Sequence, residues 1–486
     1  MLSPLSLFRF YLVSLWCLVL MQPCPALAQQ APANPSKVWA IEPTLLLHSQ
    51  VTISKHGHSE LETDKPYTLA ELINLAEERN PKTRVAWEKA KQFAARLGIA
   101  KSELFPTLAA VSTLENDSTA MYFWTYYKQN LYLFRPAIEL TYTVLDFGER
   151  RARIDEEKAA LLAANLNFNE AHRQVIYDTV SAYYNVMLAI SRKRAAEVTL
   201  FNAKTVQEAV EERLVQGLAT LPDKLDAQAA TAKAEYELAS VQGEEEIARG
   251  KLASILRESP LVNIKLENLS ETTNLDIVIP SAQHAIEEAL HFRPDFLAKI
   301  QRIDAAQAEI KLKRAAYFPK LTISANYGRL AAYASQDYTP FLFGQVPVYQ
   351  IEAKFRWVLF DAGRRRNELN LAKAHYAEAV AEEQELKDQV EFQVWKAFVN
   401  VQTAKKQLQA AKSQLTASLK SYEAATEAYH YGVRHLIDVT TAQKNLAVAR
   451  NNFVEARIRL LADVAELAFQ TGDLVHIGNP ARSSNE

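Results

Sequence analysis

The amino-acid sequence of this chain contains the same pattern twice, at a nearly constant spacing. The dipeptides Asn80-Pro81 and Phe105-Pro106 have counterparts 213 positions later, at Arg293-Pro294 and Phe318-Pro319. Beyond them the offset becomes 215, and the matching positions include Asp146 and Asp361, Gly148 and Gly363, Ala182 and Ala397, Gly217 and Gly432, and Asp223 and Asp438. A pattern repeated in the same order at a fixed offset indicates one structural unit built twice.

Glycine is scarce, and its spacing is informative. The 486 residues include 12 glycines, where average usage of about 7 % would give roughly 34. Gly148 and Gly217 lie 69 positions apart, as do Gly363 and Gly432. Because helix interiors disfavour glycine, each interval predicts one helix, roughly 100 Å long at about 1.5 Å per residue. No globular core accommodates that length, so coiled-coil packing is expected.

Two seven-residue series in the second long helix support this packing. The small series contains Val390, Ala397, Ala404, Ala411, Ser418 and Ala425, and the large series contains Val394, Val401, Leu408, Leu415, Tyr422 and Tyr429. In the first long helix the large series is interrupted by Lys193 and Gln207. Paired series of this kind permit close approach of neighbouring antiparallel helices.

Shorter helices are expected on either side of each long one. The first opening helix is predicted from about Leu69 to Leu104, and return helices are predicted over 222–258 and 436–470. An opening helix and a return helix stacked end to end span roughly 110 Å, close to the length of one long helix. Helices of equal total length are what a tube wall of constant height requires.

Between each opening helix and its long helix, the hydrophobic period changes to two, which predicts strands within 107–145 and within 320–360. One side of these strands is apolar, with Ile138, Leu140, Tyr142, Ile351, Ala353 and Phe355, and the other carries Glu139, Thr141, Glu352, Lys354 and Arg356. This alternation suits a barrel wall between lipid and a wet lumen, and equally a soluble hairpin with one face on a core. Hairpin aromatic residues such as Tyr122 and Phe343 form either an interfacial girdle or the filling of a soluble loop.

The N-terminus has the features of a secretory signal peptide over residues 1–28: Arg9, an apolar stretch over 10–21, and Ala26-Leu27-Ala28 as the cleavage site. Cys17 and Cys24 are the only cysteines and precede that site, so no disulfide is expected in the mature chain. No later apolar run has the length of a membrane-spanning helix. The rest is divided into a polar arm (29–67), a first repeat (68–258), an inter-repeat equatorial segment (259–280), a second repeat (281–471) and a C-terminal tail (472–486).

The Asn-Pro opening, the Phe-Pro pairs before the hairpins and the segment from Leu359 to Arg366 together resemble the outer membrane factor family of TolC-like outer membrane efflux proteins, over about residues 67–473. The resemblance implies an α+β fold, mainly α. In a homotrimer, each protomer would give four strands to a twelve-stranded outer membrane barrel and long antiparallel coiled-coil helices to a periplasmic tunnel. It also implies export from a Gram-negative bacterium, with outer membrane lipid, a periplasmic adaptor protein and an inner membrane pump (RND, ABC or MFS type) as partners.

The resemblance also gives roles to individual residues. The turns between each long helix and its return helix, here called the tips (215–220 and 431–436), would contact the adaptor through Gly217, Leu218, Gly432 and Val433. A periplasmic gate would contain Asp438, Arg434, Tyr429 and Asp223, with Thr441 in place of a second acid. Alternatively, Asp223 and Asp438 cap the return helices. The strand-to-helix turns are assigned to Asp146, Gly148, Asp361 and Gly363.

No residue pattern indicates an enzyme, because glycine-rich phosphate loops, HExxH and nucleophile elbows are missing from the sequence. Lys plus Arg (55) balance Asp plus Glu (57), so charge indicates no nucleic-acid partner. No cofactor is expected, and Glu211-Glu212 and Glu244-Glu245-Glu246 are interpreted as solvated helix faces. Metal binding by His56 and His58, and pH sensing by His430 and His435, stay open. The alternative function is a periplasmic coiled-coil adaptor or scaffold without a pore; the sequence names no exported substrate.

Overall fold

In the computed structural model, the described residues are 65–123, 125–217, 220–262, 264–267, 281–336, 339–431, 433–434 and 436–473. The predicted signal peptide, the polar arm up to residue 64 with His56 and His58, and most of the inter-repeat segment lie outside these residues. Leu218, Gly432 and His435 also lie outside them. What the sequence suggests for these positions stays a prediction.

The two repeats contain the same elements in the same order. In the first they are α1 (Leu69–Arg79), α2 (Pro81–Ser102), β1 (Thr107–Phe123), β2 (Thr125–Leu145), α3 (Glu149–Val215) and α4 (Leu221–Ile255). In the second they are α5 (Ala282–Phe292), α6 (Pro294–Ala315), β3 (Lys320–Gln336), β4 (Thr339–Arg356), α7 (Arg364–His430) and α8 (Leu436–Thr471). The long helices α3 and α7 have 67 residues each, as the glycine spacing predicted.

The prediction of one continuous opening helix is wrong, because the structure has two helices there in each repeat. The backbone is extended at Asn80 (ψ 127°) and at Arg293 (ψ 119°), between α1 and α2 and between α5 and α6. Pro81 and Pro294 follow these residues. A proline lacks the N–H that continues a helix and disfavours helical backbone in the residue before it, so each proline begins a new helix.

The described residues form two compact units. The sheet unit contains Ala90–Leu161 and Asp304–Tyr376, and the helical unit contains the described parts of Asn34–Lys89, Leu162–Ile303 and Ala377–Glu486. In the sheet unit, four antiparallel strands lie in the order β1-β2-β3-β4. The hairpins of the two repeats therefore join into one sheet through the pairing of β2 with β3, for example Ile138 with Tyr327.

The helical unit is held together by the predicted heptad series. Along α7, Val390, Val394, Ala397, Val401 and Ala404 are buried and pack with apolar residues of α5 and α8. Along α3, the equivalent Val175, Ala182 and Val186 form a second core with α1 and α4. The heptad prediction is confirmed for these residues. No helix within the described residues combines the length and the apolar character needed to cross a membrane.

Candidate functional site

One face of the sheet carries a continuous apolar band beside the helical ends of the strands. Strand register places Leu108 beside Leu140, Tyr142 beside Ile323, and Ala325 beside Ile351. The band is exposed in the single chain, since Ile351 is 76 % and Phe355 64 % exposed. On β3 it covers Leu321–Tyr327, six residue steps or about 20 Å along the strand at roughly 3.3 Å per residue. Barrel strands are tilted by about 35–45°, so this segment would span roughly 15 Å of the membrane, part of the apolar band of about 25 Å on transmembrane barrels.

The opposite face of the same strand segments is polar. Its side chains alternate with those of the band, because successive residues of a strand point to opposite faces. Register places Glu139 beside Asn326 and Thr322 beside Lys354. Lys320 and Arg356 pair at the helical end of this face. The predicted division of the strands into an apolar and a polar side is therefore confirmed for β2, β3 and β4 over these segments.

Aromatic residues lie on the same face of the sheet beyond the band, six residues after Tyr327 on β3. Phe343 of β4 packs against Tyr333 of β3, with ring centroids 4.6 Å apart, and Tyr333 pairs in register with Tyr132 of β2. Phe343 belongs to the aromatic set that the sequence offered as a girdle. Most of that set, including Phe123 and Tyr126, have side chains outside the described part, so the girdle interpretation is supported at Phe343 and otherwise stays a prediction.

The strand-to-helix turns have the same geometry in both repeats. The carboxylate of Asp146 accepts hydrogen bonds from the N–H groups of Gly148 (3.2 Å) and Arg150 (3.1 Å) and from Arg150 Nε (2.6 Å). Asp361 accepts the equivalent bonds from Gly363 (3.2 Å) and Arg365 (3.1 and 2.6 Å). Gly148 and Gly363 have φ values of 91° and 85°, a left-handed conformation that glycine adopts without strain.

These bonds hold the pKa of both turn carboxyls below the ordinary value. Burial acts to raise the pKa of Asp146, but the side-chain bond from Arg150 and the two backbone N–H bonds outweigh it. For Asp361, the side-chain bond from Arg365 is the largest cause of the lowered pKa. Each carboxylate thus stays ionised and caps the first turn of a long helix.

The tip of the first repeat is closed by a left-handed glycine and a polar contact across the turn. Gly217 has φ 74°, and its N–H donates to the carbonyl of Leu214 at 3.0 Å. Glu211 Oε1 of α3 lies 3.6 Å from Lys224 Nζ and 3.3 Å from Gln228 Nε2 of α4. Glu211 is therefore half-buried and paired rather than simply solvated. Asp223 lies in the first turn of α4, and its side chain is outside the described part.

At the second tip, the N–H groups of Val433 and Arg434 both donate to the carbonyl of Ala428, at 2.9 and 3.3 Å. The side chains of Val433 and Arg434 are exposed, whereas Asp438 is half-buried in the first turn of α8. An acid in the first turn stabilises the helix through its dipole, so this position of Asp438 agrees with a capping role and with a gating role alike. The side chains of Tyr429 and His430 lie outside the described part, and the assignment of Arg434, Tyr429 and Asp223 to a gate stays a prediction.

Two polar clusters of the helical unit were not identified as such from the sequence. Lys193 Nζ lies 3.0 Å from Glu245 Oε2, and Arg249 Nη2 lies 2.7 Å from Glu245 Oε1. The interpretation of Glu245 as part of a solvated face is wrong, because this side chain is buried between two cations. Burial acts to raise its pKa, but the bonds from Arg249 and Lys193 outweigh that effect and lower the pKa. The interruption of the heptad series by Lys193 was the available signal.

The second cluster surrounds the Arg-Pro opening of α6. Arg293 donates to Asp295 at 2.7 Å, to Gln393 at 2.9 Å and to Gln470 at 3.0 Å. Arg173 is also buried; it lies over the ring of Phe469 and 3.8 Å from Asp295. Within the described part of the chain, no group of three or more His, Cys, Asp or Glu side chains is arranged to hold a metal ion.

Comparison with known proteins gives one family and consistent relatives. The family model described as "Outer membrane efflux protein" matches residues 72–256 and 285–473. The chain is 24 % identical over 340 residues to the pyoverdine export outer membrane protein OpmQ of Pseudomonas aeruginosa, covering 68 % of each protein. It is 22 % identical over 394 residues to the cation efflux system protein CusC of Escherichia coli O157:H7, covering 79 % of this chain and 81 % of CusC. Among solved structures, the outer-membrane channel OprN matches with a TM-score of 0.72 at 21 % identity, over 83 % of this chain and 90 % of OprN.

Proposed function

Since the chain belongs to the outer membrane efflux protein family, we propose that it is an outer membrane export channel whose pore is made by three copies of its sheet. Each copy supplies the strands β1 to β4, so three copies close a barrel of twelve strands. The helices continue the barrel as a tunnel in the periplasm of a Gram-negative bacterium. There the tunnel meets a periplasmic adaptor protein and, through it, an inner membrane pump.

The observation that carries this proposal is the apolar band on a sheet with two long edges. Within the described residues, β1 and β4 each pair with a neighbouring strand on one side only. Unpaired strand edges are a hazard that a closed barrel removes. Because the four strands alternate in direction, β4 of one copy lies antiparallel to β1 of the next. Closure by three copies therefore leaves the band facing lipid and the polar face lining a water-filled lumen.

The tips are proposed to contact the adaptor and to close the tunnel. Val215, Tyr431 and Val433 are 90 %, 84 % and 78 % exposed, and exposed apolar side chains of this size favour a protein contact. Gly217 and Gly432 would let the partner backbone approach closely, because they have no side chain, and Leu218 and Val433 would contact the adaptor beside them. Arg434, Asp438, Tyr429 and Asp223 would form the gate, where a ring of carboxylates around a threefold axis attracts cations.

Planar bilayer recordings test the channel directly. Trimers purified in detergent should insert and give single-channel conductance steps, and light scattering should give the mass of three protomers. A preparation that stays monomeric, or that never conducts, would favour the alternative of a periplasmic coiled-coil adaptor or scaffold without a pore. The exported compound is chosen with the pump, and we assign this chain neither a substrate nor a catalytic step.

A further inference from the structure

Two consecutive arginines lie at equivalent positions after the two strand pairs, Arg150-Arg151 and Arg365-Arg366, and the members of each arginine pair have different surroundings. The first members, Arg150 and Arg365, bind the turn carboxylates, and their side chains are only 14 % and 15 % exposed. The second members, Arg151 and Arg366, are exposed in both repeats. Arg364 of the second repeat is also 79 % exposed. The capping of the helix explains the first arginines, and it does not explain the second ones.

Large apolar side chains surround the same junction between strands and helices. Phe147 and Phe318 stack with their ring centroids 5.2 Å apart and are about half exposed. Phe105, Leu359 and Phe360 are 67 %, 76 % and 85 % exposed. This collar continues the apolar band at its helical end. Exposed aromatic residues directly beside exposed cations are typical of a membrane interface, where rings and alkyl stems lie among lipids and charges reach the headgroups.

Several acidic residues near this junction form ion pairs with cations other than Arg151 and Arg366. Glu103 pairs with Arg153 at 2.7 Å, and Glu149 pairs with Lys320 at 2.5 Å. Asp146 and Asp361 are taken by the first arginines. The positive charge of the exposed Arg151 and Arg366 is therefore not neutralised by these acids.

From this arrangement we propose that Arg151 and Arg366 bind the phosphate groups of phospholipids in the periplasmic leaflet of the outer membrane. The proposal rests on the proposed function, because it requires the band to lie in that membrane. The collar would fill the boundary between acyl chains and headgroups, and a guanidinium placed just beyond it can bind a phosphate through two parallel N–H groups. The sites would fix the depth of the channel in the membrane at both repeats of all three protomers.

Lipid binding by the purified trimer tests this proposal. The number of phosphatidylglycerol molecules retained per trimer is measured by native mass spectrometry against added lipid, for wild type and for Arg151→Gln/Arg366→Gln. A double variant Lys405→Gln/Lys406→Gln removes the same charge from exposed positions of α7, about 60 Å further along the helix. Monogalactosyldiacylglycerol, which has no phosphate, and inorganic phosphate serve as further probes.

We expect the apparent phosphatidylglycerol affinity to fall about fivefold at each site in the arginine variant, since one cation near an anionic lipid surface contributes about this factor. The lysine variant should match wild type, and galactolipid binding should be equal in all three. Equal phosphatidylglycerol affinity in both variants would overturn the proposal, as would arginine-dependent binding of inorganic phosphate that is tighter than binding of the lipid. Bilayer conductance of the same preparations separates the two proposals: pores without arginine-dependent lipid binding refute only the lipid site, whereas wild type without pores refutes the channel.

Discussion

The carboxylate of Asp146 accepts a hydrogen bond from Arg150 Nε at 2.6 Å, across one turn of the helix that it caps. The same bond joins Asp361 and Arg365, again at 2.6 Å. The residue after each Asp has a positive φ, 50° at Phe147 and 54° at Ala362. Both repeats therefore change from strand to long helix by the same ionic cap.

Loss of this cap should destabilise the protein in a pH-dependent way. We expect Asp146→Asn to lower the free energy of unfolding by about 1–2 kcal/mol at neutral pH, since hydrogen bonds to a charged partner are lost from a partly buried site. The pKa of Asp146 is lowered, because the bonds from Arg150 and the backbone outweigh the opposing effect of burial. A lowered pKa stabilises the fold above the unfolded-state value of about 4 and loses that effect as pH falls through the folded value.

Denaturation followed by circular dichroism between pH 7 and pH 3 checks this prediction. The difference between wild type and Asp146→Asn should be largest at neutral pH and shrink at acidic pH. Asp155→Asn, an exposed acid of the same helix, is the control and should change stability by less than about 0.5 kcal/mol. A pH-independent difference would show that the carboxylate charge has no part in the cap.

Substitution of Lys193 and substitution of Glu245 should lower the free energy of unfolding by unequal amounts. Glu245→Ala should cost about 2–3 kcal/mol, because it removes the partner of both Lys193 and Arg249. Lys193→Leu should cost less than about 1 kcal/mol, because Glu245 keeps Arg249 and the heptad series gains a leucine. Thermal unfolding of the two variants and of the double variant Lys193→Leu/Glu245→Leu measures these effects. Equal losses from the two single variants would contradict the unequal pairing.

The ionic cluster at Arg293 has a natural control in the other repeat. Asp295 lies beside the buried Arg173 and Arg293, so Asp295→Ala should leave two buried cations with one partner fewer and cost about 3–5 kcal/mol. The equivalent position 213 residues earlier is Lys82, whose side chain is 61 % exposed and bound to Asp178. Lys82→Ala should cost about 0–1 kcal/mol. The unfolding temperatures of the two variants test this difference. A similar loss of stability in both would mean that burial of the Arg293 cluster does not determine its contribution to stability.

Much of this fold could be predicted because its main features are periodic. The glycine spacing predicted the long helices, the heptad series predicted their buried face, and the alternation over Ile138–Val144 predicted the two sides of the sheet. These patterns depend on residues close in sequence. The break at Asn80 was also available, since a proline follows it, but the helical period on either side of Pro81 concealed the boundary.

Partner choice among charged residues could not be predicted from the sequence. In the sequence, Glu245 is one of three consecutive acids. Only the packing of α3 against α4 shows that its side chain is buried between two cations. Arg293 and Gln470 lie 177 positions apart, and no local pattern connects them. The role of the tip residues could not be predicted for a different reason: a gate forms only where several copies of the chain meet, and one protomer does not contain those contacts.

The first tip glycine is predicted to be a contact point for the adaptor. A Cβ added at Gly217 would meet no atom within 4 Å, so a side chain there projects outward rather than into the fold. Gly217→Trp should therefore abolish export while trimers remain in the outer membrane, and Gly432→Trp, at the equivalent position, should do the same. Export of a pump substrate and trimer abundance in membrane fractions are the measurements.

Two controls separate contact from strain at this position. Gly217→Ala introduces the penalty of a left-handed alanine, about 1 kcal/mol, with little bulk, and should keep most of the export activity. Gly243→Trp adds the same ring at an open position in the middle of α4 and should also export normally. Normal export by the double variant Gly217→Trp/Gly432→Trp would exclude docking at these positions.

Arg434 and Asp438 are predicted to hold the periplasmic end shut. In a trimer, three copies of each residue would meet near the axis, where the dielectric is lower and charge pairs are stronger than at an open surface. Loss of Arg434 should leave the acids repelling one another, so Arg434→Ala should raise the basal bilayer conductance. Asp438→Ala should weaken block by divalent cations and raise the conductance less. Lys406→Ala, an exposed cation of α7 far from the tip, is the control for charge alone.

Salt dependence distinguishes a charged gate from a change in the helix cap. Recordings at about 0.1 M and 1 M salt compare Debye lengths of about 10 Å and 3 Å, so added salt should reduce the differences among wild type, Arg434→Ala and Asp438→Ala. A defect in capping would instead lower the unfolding temperature of Asp438→Ala and leave its conductance like that of Lys406→Ala. Equal conductance and equal cation block in all four proteins would place the gate elsewhere and leave Asp438 as an ordinary acid in the first turn of α8.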